Sequence, residues 1–144
     1  MISFENFNTE GGGPIYLQIL LHIKRGIAAG SVGDGDELPS RRVLSALLGV
    51  NPNTIQKAYR ILEDEGLVSS RSGAKSYMLL DDEKIGQVRA QLFREDALRI
   101  VTAMKQMGVT KTQALSLIEK YWEVEEKNEE APIRAHADDE EHDL

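Results

Sequence analysis

The fold is decided by residues 38–66, which read LPSRRVLSALLGVNPNTIQKAYRILEDEG. Ser40 is a suitable N-cap for a short helix that ends at Gly49. Asn51 followed by Pro52 predicts the start of a second helix, because asparagine caps helices and proline is tolerated at the first helical position. Two short helices joined around a glycine are typical of a helix-turn-helix.

The flanking residues extend this pattern on both sides. Pro14 opens a further helix upstream, in which apolar residues recur at helical spacing. Downstream, residues 67–70 and 75–79 are predicted strands, and the turn between them contains Gly73. The predicted fold class is therefore mostly α with a small β-wing: a winged helix-turn-helix over residues 14–80, followed by a C-terminal two-helix dimerisation hairpin.

The rest of the chain divides into three segments. Residues 1–13 end in three glycines, and we predict a flexible N-terminal arm. Residues 82–127 carry two helical patterns separated at Gly108, and we predict a helical dimerisation region. Residues 128–144 are acidic, and we predict a disordered tail.

The net charge of −7 is unusual for a protein that binds nucleic acid. The negative charge is, however, concentrated at the C-terminus, because residues 123–144 hold ten acidic and only two basic side chains. Between residues 40 and 78, six basic residues face three acidic ones, a local excess of +3. A phosphate senses charges within about 8–10 Å, so the local charge decides which partners this segment can bind.

Composition and motifs exclude several classes of protein. At 41% hydrophobic and 28% charged residues the chain is typical of globular proteins, and its start lacks the features of a secretory signal. The absence of cysteine rules out disulfides and fits a cytoplasmic location. Because no HExxH, GxSxG, P-loop or GxGxxG motif is present, we expect no enzyme, no metal site and no cofactor.

The candidate DNA-contacting residues are polar or basic and lie at helix starts or in the wing. Asparagine and glutamine can read adenine in the major groove, while lysine and arginine suit phosphates. The set is Ser40, Arg41, Arg42, Asn51, Asn53, Thr54, Gln56, Lys57, Arg60, Arg71, Ser72, Gly73 and Lys75. The alternative is structural: Asn51 only caps its helix, and Lys57 and Arg60 form a solvated surface.

The C-terminal helices carry more apolar surface than one hairpin can bury, which favours a symmetric partner. The candidate dimer residues are Ile85, Val88, Leu92, Ile100, Met104, Leu115, Ile118, Tyr121 and Trp122. Two alternatives remain open. Both apolar stripes could fold back on the chain's own winged helix, or Met104, Met107, Tyr121 and Trp122 could line a small ligand pocket.

Four segments resemble the N-terminal domain of GntR-family regulators: PIYLQI at residues 14–19, LPSRRVL at 38–44, GVNPNTI at 49–55 and LEDEGLV at 62–68. The resemblance implies a dimeric bacterial repressor that binds a palindromic operator in double-stranded DNA. It places Arg42, the recognition-helix positions Asn51, Asn53, Thr54 and Gln56, and the wing-tip Gly73 at DNA-contacting positions. The short C-terminal part resembles the YtrA-type branch, in which two helices mainly form the dimer.

Two functional hypotheses follow. The first is a sequence-specific transcriptional regulator, a repressor that acts as a homodimer on a palindromic operator. We expect no association with a membrane. The second is a winged-helix protein-interaction module without specific DNA binding. Salt distinguishes them, because binding that neutralises phosphates weakens steeply as salt rises. The sequence does not identify a small-molecule effector.

Overall fold

A computed structural model describes residues 1–70 and 75–127, with side chains through Val124. Its elements are α1 Ile15–Ala29, α2 Arg41–Leu48, α3 Pro52–Asp64, β1 Val68–Ser70, β2 Ser76–Met78, α4 Asp82–Gln106 and α5 Lys111–Lys127. The chain forms two compact units, the first being Met1–Glu95 and the second beginning at Asp96. None of the described helices is long and apolar enough to cross a membrane.

The first unit is a winged helix-turn-helix, as predicted. Strands β1 and β2 are antiparallel, with Val68 opposite Met78, and Glu37 forms an isolated bridge to Tyr77 at the other edge of β2. The core beneath them is built from apolar side chains that are fully buried: Ile19, Ile23, Ile27, Leu38, Leu44, Ile55, Leu62 and Met78. The wing tip, with Arg71, Ser72 and Gly73, lies outside the described residues, as does the predicted disordered tail, 128–144.

The N-terminal residues correct one prediction, because the chain before α1 is not a free arm along its whole length. Ile2 and Phe4 are buried in the core, at 7% and 4% exposure. The Ile2 amide donates to the Glu37 carbonyl at 2.9 Å, and the Phe4 ring packs at a tilt against His22 of α1, with 4.6 Å between centroids. The glycines predicted flexibility, but the apolar side chains ahead of them anchor the segment.

The start of α4 also belongs to the first unit. Val88 and Leu92 are buried in its core, at 7% and 5% exposure. Lys84 Nζ donates to the Gly66 carbonyl at 2.7 Å, and the Arg89 guanidinium donates to the Ala28 carbonyl. These cations satisfy carbonyls near the C-termini of α3 and α1, where positive charge is favourable. The DNA-binding unit therefore extends past residue 80, to about residue 95.

The second unit contains the end of α4 and helix α5. Gly108 lies between the helices with φ of +75°, a conformation that glycine adopts without strain. Thr110 and Gln113 form a reciprocal capping box. The backbone N–H of Gln113 donates to Thr110 Oγ1 at 3.2 Å, and the backbone N–H of Thr110 donates to Gln113 Oε1 at 2.9 Å. The turn and the cap together define where α5 begins.

Candidate nucleic-acid interface

Helix α3 begins where the sequence predicts. Asn51 has extended backbone angles and its Oδ1 accepts from the Asn53 amide at 2.8 Å, which makes it the N-cap. Pro52 occupies the first helical position, where a missing N–H costs nothing. The preceding turn passes through Gly49 with φ of +68°, in the left-handed region. Cap, proline and turn together fix the direction in which α3 leaves α2.

The two faces of α3 differ in chemistry. Its inner face is buried and apolar, with Ile55, Ala58, Tyr59 and Leu62 in the core. The opposite face exposes Asn53, Lys57 and Arg60, which follow one another at 3–4 residue spacing along one side of the helix. This outer stripe offers an amide and two cations to solvent, the groups that contact base edges and phosphates.

Tyr59 connects α3 to the segment that starts α2. Its hydroxyl donates to the Pro39 carbonyl at 2.7 Å in a buried position. Burial raises the pKa of Tyr59 well above its ordinary value of 10.0, and the positive charge of Arg41 opposes this only in part. Tyr59 is therefore a neutral hydrogen-bond donor at physiological pH.

The N-terminus of α2 presents two arginines beside this link. Ser40 Oγ accepts from the Val43 amide at 3.1 Å, so Ser40 is the N-cap that the sequence predicts. Arg41 and Arg42 follow immediately and are both exposed. The cap places the two guanidinium groups at the start of the helix that precedes α3.

Not every candidate residue is freely accessible. Asn51, Asn53, Lys57, Arg60 and Lys75 are exposed. The half-buried candidates are Ser40, Thr54 and Gln56. Gln56 Oε1 is fully buried and accepts no hydrogen bond from the described residues. Bidentate reading of adenine needs both amide atoms, so Gln56 would have to rotate before it could make that contact.

Three contacts of charged side chains around α3 were not predicted from the sequence. Lys24 is buried in α1 and pairs with Glu65 at the end of α3, with Nζ 2.7 Å from Oε1. Ser70 of β1 donates to Glu63 at 2.6 Å. Lys57 Nζ lies 4.0 Å from the centroid of the Tyr16 ring. No local sequence signal marks these contacts, because each joins residues far apart in the chain or in different elements.

The candidate dimer residues fall into two groups. Val88 and Leu92 are buried by their own unit and cannot face a partner in this conformation, and Ile85 packs partly against the same core. In the second unit Met104 is half-buried, and the exposed candidates are Ile100, Leu115, Ile118, Tyr121 and Trp122. The apolar surface predicted to meet a partner is thus confined to residues after the first unit.

A groove of about 390 Å³ runs between the two helices of the second unit. Its lining is mainly apolar and includes Ile100, Val101, Met104, Leu115 and Ile118, with Lys105 and Lys111 also contributing. Of the four residues predicted as an alternative ligand pocket, Met104 lines this groove. Met107, Tyr121 and Trp122 do not.

Comparison with known proteins identifies the winged helix. The profile described as "Bacterial regulatory proteins, gntR family" matches residues 15–77, which include α1, α2, α3 and both strands. The uncharacterized HTH-type transcriptional regulator YhcF of Bacillus subtilis is 36% identical over 110 residues, which cover 76% of this chain and 91% of YhcF. The chain belongs to the GntR family.

Two further relatives agree with this assignment. The HTH-type transcriptional repressor YtrA of Bacillus subtilis is 42% identical over 65 residues, covering 45% of this chain and 50% of YtrA. A GntR family transcriptional regulator from Listeria monocytogenes has a structure that matches with a TM-score of 0.69 at 31% identity, over 76% of this chain and 96% of that one. The chain is therefore a GntR-family transcriptional regulator with a DNA-binding winged helix, and the relatives to which it is similar include YtrA, after which the predicted short branch is named.

Proposed function

We propose that this GntR regulator is a cytoplasmic repressor that binds a palindromic operator as a homodimer, with α3 in the major groove. The observation that carries the proposal is the outer stripe of α3, where Asn53, Lys57 and Arg60 are exposed opposite a fully buried inner face. A major groove about 12 Å wide admits a helix that presents such a stripe. Arg42 and Lys75, both exposed, would add contacts from α2 and from the wing.

The division of labour within this interface follows from exposure and chemistry. Asn53 and Thr54 lie in the first turn of α3, where recognition helices contact base edges. Lys57 and Arg60 lie one and two turns further along, where their longer side chains suit phosphates. Asn51 Oδ1 is occupied by the cap, which leaves its amide nitrogen for DNA.

Direct titration tests the recognition helix. Operator DNA would be selected from a random pool with the full chain, and affinity measured by fluorescence anisotropy. Replacement of Asn53, Thr54 and Gln56 together by alanine should remove the preference for the selected DNA over a scrambled duplex. A matched triple variant, with Asn6, Thr102 and Gln106 replaced by alanine, should keep it, because these exposed residues lie outside the interface. Unchanged operator preference in the first variant would contradict the assignment of α3.

The homodimer is supported by the apolar surface of the second unit. The apolar residues of α5, from Ala114 to Val124, spread over about half of the helix circumference at 3.6 residues per turn. The end of α4, which lines a groove with α5, covers only part of such a face. Trp122 remains 70% exposed and Leu115 57% exposed. A second copy that brings its own two helices would bury these side chains by closed, two-fold packing.

Sedimentation equilibrium tests this assembly. The full chain should sediment as a dimer, and Ile118→Glu should shift it toward monomer by placing a charge in the contact. Glu119→Lys is the control, because it changes the charge of the neighbouring exposed residue on the polar side of α5. A dimer that persists in Ile118→Glu would exclude this face as the interface.

A fragment of residues 1–95 keeps the core contacts of Val88 and Leu92, and it should be monomeric.

A further inference from the structure

Tyr16 of α1 and Lys57 of α3 are in contact at the edge of the core. Tyr16 is the second residue of α1 and is half-buried against the core, whereas Lys57 is exposed on the outer stripe of α3. The ammonium nitrogen lies 4.0 Å from the centre of the tyrosine ring. A cation over a ring face at this distance is attracted by the negative face of the π-system.

The contact leaves the ammonium available to another partner. An aromatic ring occupies one side of the cation, and a lysine carries three N–H donors. Among residues 1–70 and 75–124, no carboxylate forms an ion pair with Lys57. The Tyr16 ring therefore restrains the position of the charge, and the exposed Lys57 side chain remains accessible to another partner.

Fixing the charge in advance matters for binding. A lysine side chain has many rotamers, and their loss opposes the formation of any contact. The Tyr16 ring restricts that freedom before DNA arrives. Tyr16 is itself anchored by its packing against the core, so the ammonium is held relative to Asn53 and Arg60 on the same stripe.

We propose that Tyr16 is a positioning residue for DNA recognition, which holds Lys57 for contact with a backbone phosphate. The proposal rests on the DNA-binding role of α3 proposed above. Tyr16 acts through its ring and through Lys57, without a contact of its own hydroxyl to DNA.

A double-mutant cycle on the full chain tests this role, with affinity measured across a range of salt concentrations. Lys57→Ala should make the negative slope of log affinity against log salt shallower by about 1, the effect of one lost phosphate contact. Tyr16→Leu should weaken binding about threefold, the scale of an exposed cation–π contact. Tyr16→Phe should bind like the parent chain. Tyr16→Leu should have no further effect once Lys57 is alanine.

A control and a spectroscopic readout separate positioning from folding. Lys120→Ala removes another lysine that lies beside a tyrosine ring, 5.4 Å from the centroid of Tyr121, and it should leave the salt slope unchanged. In NMR spectra of the free protein, the Lys57 ε-protons should show an upfield ring-current shift that persists in Tyr16→Phe and disappears in Tyr16→Leu. This readout does not depend on DNA or on small changes in stability.

Three results would overturn the proposal. If Tyr16→Phe bound as weakly as Tyr16→Leu, the hydroxyl would be the functional group. If the losses from Tyr16→Leu and Lys57→Ala were additive, Tyr16 would not act through Lys57. If no ring-current shift were present, the contact would not exist in solution. By contrast, a parent chain that shows no salt-dependent DNA binding would refute the proposed function and not the Tyr16–Lys57 contact.

Discussion

The hydroxyl of Tyr59 donates a buried hydrogen bond to the carbonyl of Pro39, with 2.7 Å between the oxygens. Tyr59 lies on the inner face of α3, and Pro39 immediately precedes Ser40, the N-cap of α2. One side chain therefore joins the helix proposed to read DNA to the start of the helix that carries Arg41 and Arg42. The spacing between the two sets of candidate DNA contacts depends on this link.

Tyr59→Phe should destabilise the first unit by about 1–3 kcal/mol, because the variant leaves the buried Pro39 carbonyl without its donor. Urea unfolding followed by circular dichroism measures the change. Tyr121→Phe is the matched control: Tyr121 belongs to the second unit, so this variant should leave the stability of the first unit unchanged. Equal free energies of unfolding for Tyr59→Phe and the parent chain would show that this hydrogen bond does not stabilise the fold.

The same residue predicts a dependence on alkaline pH. The folded-state pKa of Tyr59 is raised by burial above its ordinary value of 10.0, so the folded protein retains a proton that the unfolded chain loses. Its contribution is complete below about pH 10 and declines as pH rises further, by up to about 1.4 kcal/mol per pH unit. Urea unfolding between pH 9 and 11 should show a steeper loss for the parent chain than for Tyr59→Phe. Parallel curves would contradict the raised pKa.

The Lys24–Glu65 ion pair should respond unequally to the loss of either partner. The Lys24 side chain is 10% exposed, whereas the Glu65 side chain is 42% exposed. Glu65→Ala leaves a buried ammonium without a partner and should cost roughly 1–3 kcal/mol. Lys24→Met removes the buried charge and lets the carboxylate rehydrate, so its cost should be smaller. Thermal unfolding of both variants measures the two losses of stability. A larger loss for Lys24→Met than for Glu65→Ala would show that burial of the ammonium does not dominate the energetics of the pair.

Arg42→Ala should reduce operator affinity by about 1–3 kcal/mol, the scale of one good base or charge-assisted contact. The side chain is exposed, so the free energy of unfolding should not change. Arg94→Ala removes an exposed arginine of α4 and is the control for net charge. Anisotropy titrations of both variants in the same buffer provide the comparison. An equal loss of affinity in both would point to general electrostatic attraction and not to a specific contact at Arg42.

Local signals predicted the helix-turn-helix well because its boundaries are encoded locally. Asn51 and Pro52 define the start of α3 through a side-chain cap and a fixed φ, and both act over a few residues. The apolar spacing of Ile55, Ala58 and Leu62 correctly predicted the buried face. The same spacing did not reveal which surface Val88 and Leu92 pack against, because periodicity reports that a face is apolar and not what covers it.

Contacts between distant segments could not be predicted. The burial of Ile2 and Phe4 depends on a surface formed by α1 and the segment near Glu37, and three glycines suggested freedom instead. Similarly, the buried oxygen of Gln56 arises from tertiary packing, whereas its residue type alone suggested base reading. The candidate interface was therefore predicted by position and chemistry, but the accessibility of each side chain required the structure.

The proposal that two copies read a symmetric operator is tested most directly by hydroxyl-radical footprinting of the full chain on its selected DNA. Two α3 helices related by a two-fold axis should protect two blocks of backbone whose centres are about 34 Å, or one helical turn, apart. The pattern should be symmetric about the centre of a palindrome. Protection of one block, or of two blocks without symmetry, would contradict the account.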